Sequence, residues 1–143
     1  MLRKLTSVVA GLGMAALVLA FGGFDLTAAA DDKKKDETPT IKEIMAKGHK
    51  GTDAYMGKVK AAVKGEKWDD AQKYAKAMLV FGEALGKNKP KKGDADSWKT
   101  LSEKYAADTK SLFDATEKKD AKAANEALGV IGGSCGGCHK VHK

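Results

Sequence analysis

The sequence predicts an all-α protein folded as an antiparallel up-down-up-down four-helix bundle. Three observations carry that prediction. Apolar residues recur at helical spacing over four stretches, no stretch alternates with the two-residue period of a half-buried strand, and the links between stretches are mostly short. Four such helices pack most simply with neighbours about 20° apart.

The first helix is expected to start at Thr40, which with Glu43 forms a capping box, and to run to Gly65. Ile41, Ile44, Met45, Tyr55, Met56, Val59 and Val63 mark its inner face. Gly48 and Gly51 weaken this helix by up to about 1 kcal/mol each relative to Ala, which suggests a close approach to the backbone there. The second helix spans Trp68 to Leu85 and stops at Gly86, with Ala71, Tyr74, Ala75, Met78, Leu79, Phe81, Gly82 and Leu85 on its stripe. Residues 86–93 hold two Gly, one Pro and four Lys and form the main loop. Asp96 is the expected N-cap of the third helix, whose inward positions are Trp98, Leu101, Tyr105, Thr109, Leu112 and Phe113. Asp120 caps the fourth, which places Ala121, Ala124, Leu128, Ile131, Cys135, Cys138, His139 and His142 on one face. The stripes are poor in large side chains, so the core reads as underfilled and able to take a large ligand.

With 143 residues, 43% of them apolar, the chain is long enough for one folded domain but not two. Residues 1–30 read as a cleaved export signal: Arg3 and Lys4 are the basic start, Val8 to Phe21 the apolar run, and Ala28, Ala29 and Ala30 the small-residue cleavage site. Residues 31–39 are charged and read as a disordered lead-in, so that residues 40–143 form the domain. Loss of the signal removes Arg3, Lys4 and Asp25 and takes the formal net charge from +7 to +6. Every basic residue that remains is Lys, and an exported chain without Arg and with few aromatics is a poor nucleic-acid reader. Such a surface reads first as a solvated lysine coat, with a weak preference for acidic redox partners as the alternative. No later apolar run reaches the ~18 residues of a membrane span. Export implies a periplasmic location.

One motif carries chemistry. Cys135-Gly136-Gly137-Cys138-His139 is a CxxCH sequence, the pattern of covalent c-type haem attachment. Residues three and four apart share a helix face, so two thiols can meet the two vinyl groups at one porphyrin edge while the adjoining imidazole becomes the proximal iron ligand. A disulfide suits an oxidising compartment, but a redox-active one would be expected beside a βαβ pattern, which is lacking. Zinc held by Cys135, Cys138, His139 and His142 would need a sharp departure from the helix. One covalently attached haem c is therefore the expected cofactor.

On these residues the chain resembles the cytochrome c prime family and its low-spin relatives, which are exported four-helix bundles with the haem motif at the end of the last helix. The resemblance covers residues 40–143 and is sharpest at Cys135, Cys138 and His139. Lys143 stands four positions after the haem His, where the family has a proximal basic residue. Trp98 matches a Trp near the start of the third helix, whereas His142 stands where an aromatic is common. The family's first helix supplies the residue over the distal face of the haem. Met45 stands at the matching place, although the Arg often found before it is missing. His49, one turn along, is the alternative distal candidate.

A Met45 thioether on the iron would give a six-coordinate electron carrier with a raised potential, and a Met45 that only covers the iron would leave it open to nitric oxide or carbon monoxide. His142 lies on the proximal side, as a hydrogen-bonding neighbour or a solvated terminus. Tyr55, Met56, Tyr74, Met78, Leu128 and Ile131 are expected to wall the pocket. No paired carboxylates, Ser-His-Asp set or phosphate loop is present, and only His49 could serve as the distal acid/base of a peroxidase, so the chain does not read as an enzyme. The expected role is single-electron transfer between redox proteins, with gas binding as the alternative. The resemblance also implies homodimers, for which no surface stripe identifies an interface.

Overall fold

A computed structural model describes residues 37–143. The expected export signal and residues 31–36 of the lead-in lie outside the described residues. All regular structure among the described residues is helical: α1 (Ile41–His49), α2 (Tyr55–Lys64), α3 (Trp68–Leu85), α4 (Ala95–Glu117) and α5 (Ala121–His142).

The single first helix expected from the sequence is in fact two. After α1 the chain turns extended at Lys50, Gly51 takes a left-handed φ of +84°, and Ala54 is extended again before α2 begins. Gly51 permits that reversal without a Cβ penalty. The turn also lies directly over Gly57, where any Cβ would meet the backbone of Thr52. The spacing of apolar residues continues across the break, so periodicity alone joined the two helices.

The other ends follow their capping residues. At Thr40 the capping box forms, with the Glu43 amide donating to Thr40 Oγ1 at 3.3 Å and the Thr40 amide donating to Glu43 Oε2 at 3.0 Å. Helix α3 covers its expected span and ends at Gly86. The N-cap of α4 is Asp94, not Asp96: its Oδ1 accepts from the amides of Asp96 (3.0 Å) and Ser97 (2.9 Å). Asp96 instead sits in the first turn, where a carboxylate favours the positive end of the helix dipole. Asp120 caps α5 by accepting from the Ala123 amide at 2.9 Å.

Helices α2, α3, α4 and α5 pack in a closed cycle, each against the next and α5 back on α2, while α1 lies on α2 and α3. The start of α3 meets the end of α4, where Gln72 donates to the Thr116 carbonyl at 3.3 Å. The core between the helices contains Ile44, Val59, Val63, Met78, Leu112, Leu128 and Ile131, all essentially inaccessible, together with buried Ala62, Ala71, Ala75, Ala84, Ala115, Ala124 and Ala127. These alanines permit close helix contacts, so the small residues tighten most of the core instead of leaving it empty. A large space remains where α1, the first half of α4, the second half of α5 and the loop after α3 come together.

Candidate functional site: the cavity beside the CxxCH motif

That space is a cavity of about 710 Å³. It falls within the roughly 300–1,000 Å³ of small-molecule and cofactor sites. Helix α5 contributes Ile131, Ser134, Cys135, Cys138 and His139, and α1 contributes Ile41, Met45 and His49. Helix α4 adds Trp98, Leu101 and Tyr105. Lys42, Lys89, Lys91, Lys104 and Lys143 also line it, which gives a mostly apolar chamber several cationic side chains. Cys135, Cys138, His139, Met45, His49 and Lys143 therefore all border this one cavity.

The motif lies on unbroken helix, so Cys135, Cys138 and His139 occupy positions three and four apart as their spacing requires. Both cysteines are free thiols. Cys135 is exposed, with its sulfur 3.6 Å from the Ile131 carbonyl, and Cys138 is half-buried. Burial, and secondarily the neighbouring Cys135, push the Cys138 thiol above its ordinary range and keep it protonated. His139 is exposed.

His142, in contrast, is buried and fully engaged. Its Nδ1–H donates to the Lys92 carbonyl at 3.0 Å, which leaves Nε2 to accept from the Ser97 hydroxyl at 3.1 Å. Of the two roles expected for it, the hydrogen-bonding neighbour is the one it takes. With both nitrogens occupied it has no lone pair for a zinc ion. Its partners also tie the motif-bearing end of α5 to the start of α4. Gly93, at φ +91°, completes the seat, because a Cβ there would run into the His142 ring. Trp98 is anchored alongside, with its indole N–H donating to the Asn88 carbonyl at 2.8 Å. Asn88 in turn donates to the carbonyls of Ala84 (2.9 Å) and Pro39 (3.0 Å), which fixes the loop below the cavity.

His49 is half-buried at the end of α1, and its Nε2 lies 2.7 Å from the Tyr105 hydroxyl of α4. Its Nδ1 is buried without a partner. Burial lowers the His49 pKa, and the charge of His139 lowers it further, so the neutral ring is favoured. Tyr105 is held well above its ordinary phenol range by burial and then by Cys135. The electrostatic coupling of His49 with His139, and of Tyr105 with Cys135, brings the far wall of the cavity into the field of the motif.

Of the residues expected to wall the pocket, Ile131 does so. Tyr55 instead stacks on Tyr74 with ring centroids 6.0 Å apart, Met78 and Leu128 are core, and Met56 packs against that core. The walls that were not foreseen include Leu85, Asn88, Trp98, Leu101 and Tyr105. Tyr105 carried a usable signal: a tyrosine on an inward stripe brings a hydroxyl that must find a partner.

Residues 91–143 match the family model described as Cytochrome C', the family that the sequence resembles. The match spans the end of the loop, α4 and α5, and so includes the whole CxxCH motif. No curated protein and no solved structure matches the chain.

Proposed function

We propose, with this match to the Cytochrome C' family as the starting point, that the protein is a c-type haem protein of the periplasm that passes single electrons between redox proteins. The observation that carries the proposal is the convergence of Cys135, Cys138 and His139 from α5 with Met45 and His49 from α1 on one cavity of cofactor size. The residues fit the group. Cys135 and Cys138 would add their S–H bonds across its two vinyl groups, His139 would be the proximal ligand, and the chamber offers an apolar lining with Lys143 and other lysines for the carboxylates. A haem so bound supplies a one-electron iron couple whose potential is set by its axial ligands and its burial.

The protein's own contribution is to hold this set. His142 and Gly93 fix the end of α5, the Asn88 and Trp98 bonds fix the floor, and α1 places Met45 as the distal candidate with His49 as the alternative. The closed cycle of α2 to α5 and the contact of Gln72 with the end of α4 support the antiparallel up-down-up-down arrangement of the domain, residues 40–143. The export signal of residues 1–30 supports the location. No helix among the described residues is long and apolar enough to cross a membrane.

The visible spectrum of the haem-loaded protein tests the role. A low-spin reduced spectrum unchanged by carbon monoxide supports electron transfer, and prompt conversion to an adduct supports gas binding. Gas binding is a second reading favoured by one observation. In this arrangement His49 Nε2 is engaged by the Tyr105 hydroxyl, so ligation of iron by His49 would first have to break that bond.

A further inference from the structure

The His49–Tyr105 pair joins side chains 56 positions apart in the sequence, both of which line the cavity. A neutral imidazole and a phenol share only one proton along the line between Nε2 and Oη. If the phenol gave its proton to Nε2, the ring proton would sit on Nδ1, which is buried without a partner. A stranded buried N–H is rarer in folded proteins than an under-satisfied acceptor. The arrangement that strands no donor has Nε2–H donating to Tyr105 Oη and leaves Nδ1 with its lone pair alone. The Tyr105 proton is then free for a third group, and the phenol is fixed in place by the bond it receives.

We infer that the Tyr105 hydroxyl, positioned by His49, is the hydrogen-bond donor offered to a small ligand bound in the cavity, so that the site favours ligands whose bound atom accepts a hydrogen bond over carbon monoxide. Fluoride and dioxygen belong to the favoured class. The inference rests on the reading that the cavity holds haem, and it assigns His49 a role through Tyr105 instead of on the iron. In a mostly apolar chamber a single oriented donor has a large effect on ligand choice, because a hydrogen bond is electrostatically stronger there than in water.

The test uses the haem-loaded protein carrying Met45→Leu, so that Met45 cannot occupy the sixth position. Fluoride is titrated into the ferric form and carbon monoxide into the ferrous form, each with and without Tyr105→Phe, and the C–O stretching frequency is recorded. Tyr105→Phe is expected to weaken fluoride binding by about tenfold or more, to change carbon monoxide affinity far less, and to shift the C–O stretch as a donor is lost. His49→Ala should weaken fluoride in the same direction, and it answers the question if Tyr105→Phe folds poorly. Equal effects on both ligands, or an unchanged C–O stretch, would overturn the inference. So would a Met45→Leu protein that holds haem yet stays low-spin and refuses fluoride. Failure of the protein to take up haem at all would instead bring down the functional reading on which the inference depends.

Discussion

His142 stands edge-on to Trp98, with ring centroids 5.2 Å apart and planes at 73°. The contact fastens the last turn of α5 to the first turn of α4, and the CxxCH motif sits immediately before it. An imidazole that gives one proton and receives another has its orientation determined at both ends.

Replacing His142 by Ala removes both hydrogen bonds and the ring contact, and leaves the half-buried Ser97 hydroxyl and the Lys92 carbonyl to find new partners. A loss of about 1–3 kcal/mol is expected, read as a lower denaturant midpoint with an unchanged slope. His142→Phe should recover only the part due to the ring.

Gly93→Ala should be costly although Gly93 itself does not line the cavity. Its φ of +91° strains any Cβ, and that Cβ would meet the His142 ring. The same substitution combined with His142→Ala should cost less than the two changes summed, because the clash is then gone. Thermal melts of the four proteins of this cycle measure the coupling.

Gly82→Ala tests the close approach of α3 to α4. The added methyl would press on the Thr109 hydroxyl and lie 3.0 Å from the Ala106 Cα. Overpacking of about 1–3 kcal/mol is expected. Thr109→Ala should relieve part of it, and a denaturation midpoint that does not move in Gly82→Ala would show that these helices are not held so tightly.

The pH dependence of stability has a definite sign at His49. Its pKa in the folded protein lies below the ordinary 6.5, so the unfolded chain takes up the proton first as the pH falls. The contribution is complete above about 6.5 and is lost as the pH drops through that value towards the folded pKa. Melting temperatures between pH 8 and pH 5.5 should therefore fall more steeply for the natural protein than for His49→Gln, which has no ring to protonate. Parallel slopes would contradict this account of His49.

Helix content and the chemical motif were legible in the sequence for reasons that hold locally. The capping box at Thr40, the stop at Gly86 and the cap at Asp120 each depend on residues within a turn of one another, and all three form. Asp94 and Asp96 present the same side chain two positions apart, and only the backbone path out of Gly93 selects the first. Periodicity identified inward positions such as Tyr55, Tyr74 and Met78 but not which part of the interior they face. Met78 fills the core and the half-buried Tyr55 and Tyr74 pack against it, while the cavity opens at the end that carries the motif. The His49–Tyr105 bond was out of reach because it depends on how α1 settles against α4, a tertiary fact with no local signature.

The most direct test is the intact mass of the protein recovered from a host that matures c-type cytochromes, read together with its absorption spectrum. The account predicts polypeptide plus one haem, a strong Soret band that survives denaturation, and loss of this covalent attachment when Cys135 and Cys138 are both changed to Ser. A colourless protein with the mass of the bare chain would contradict it.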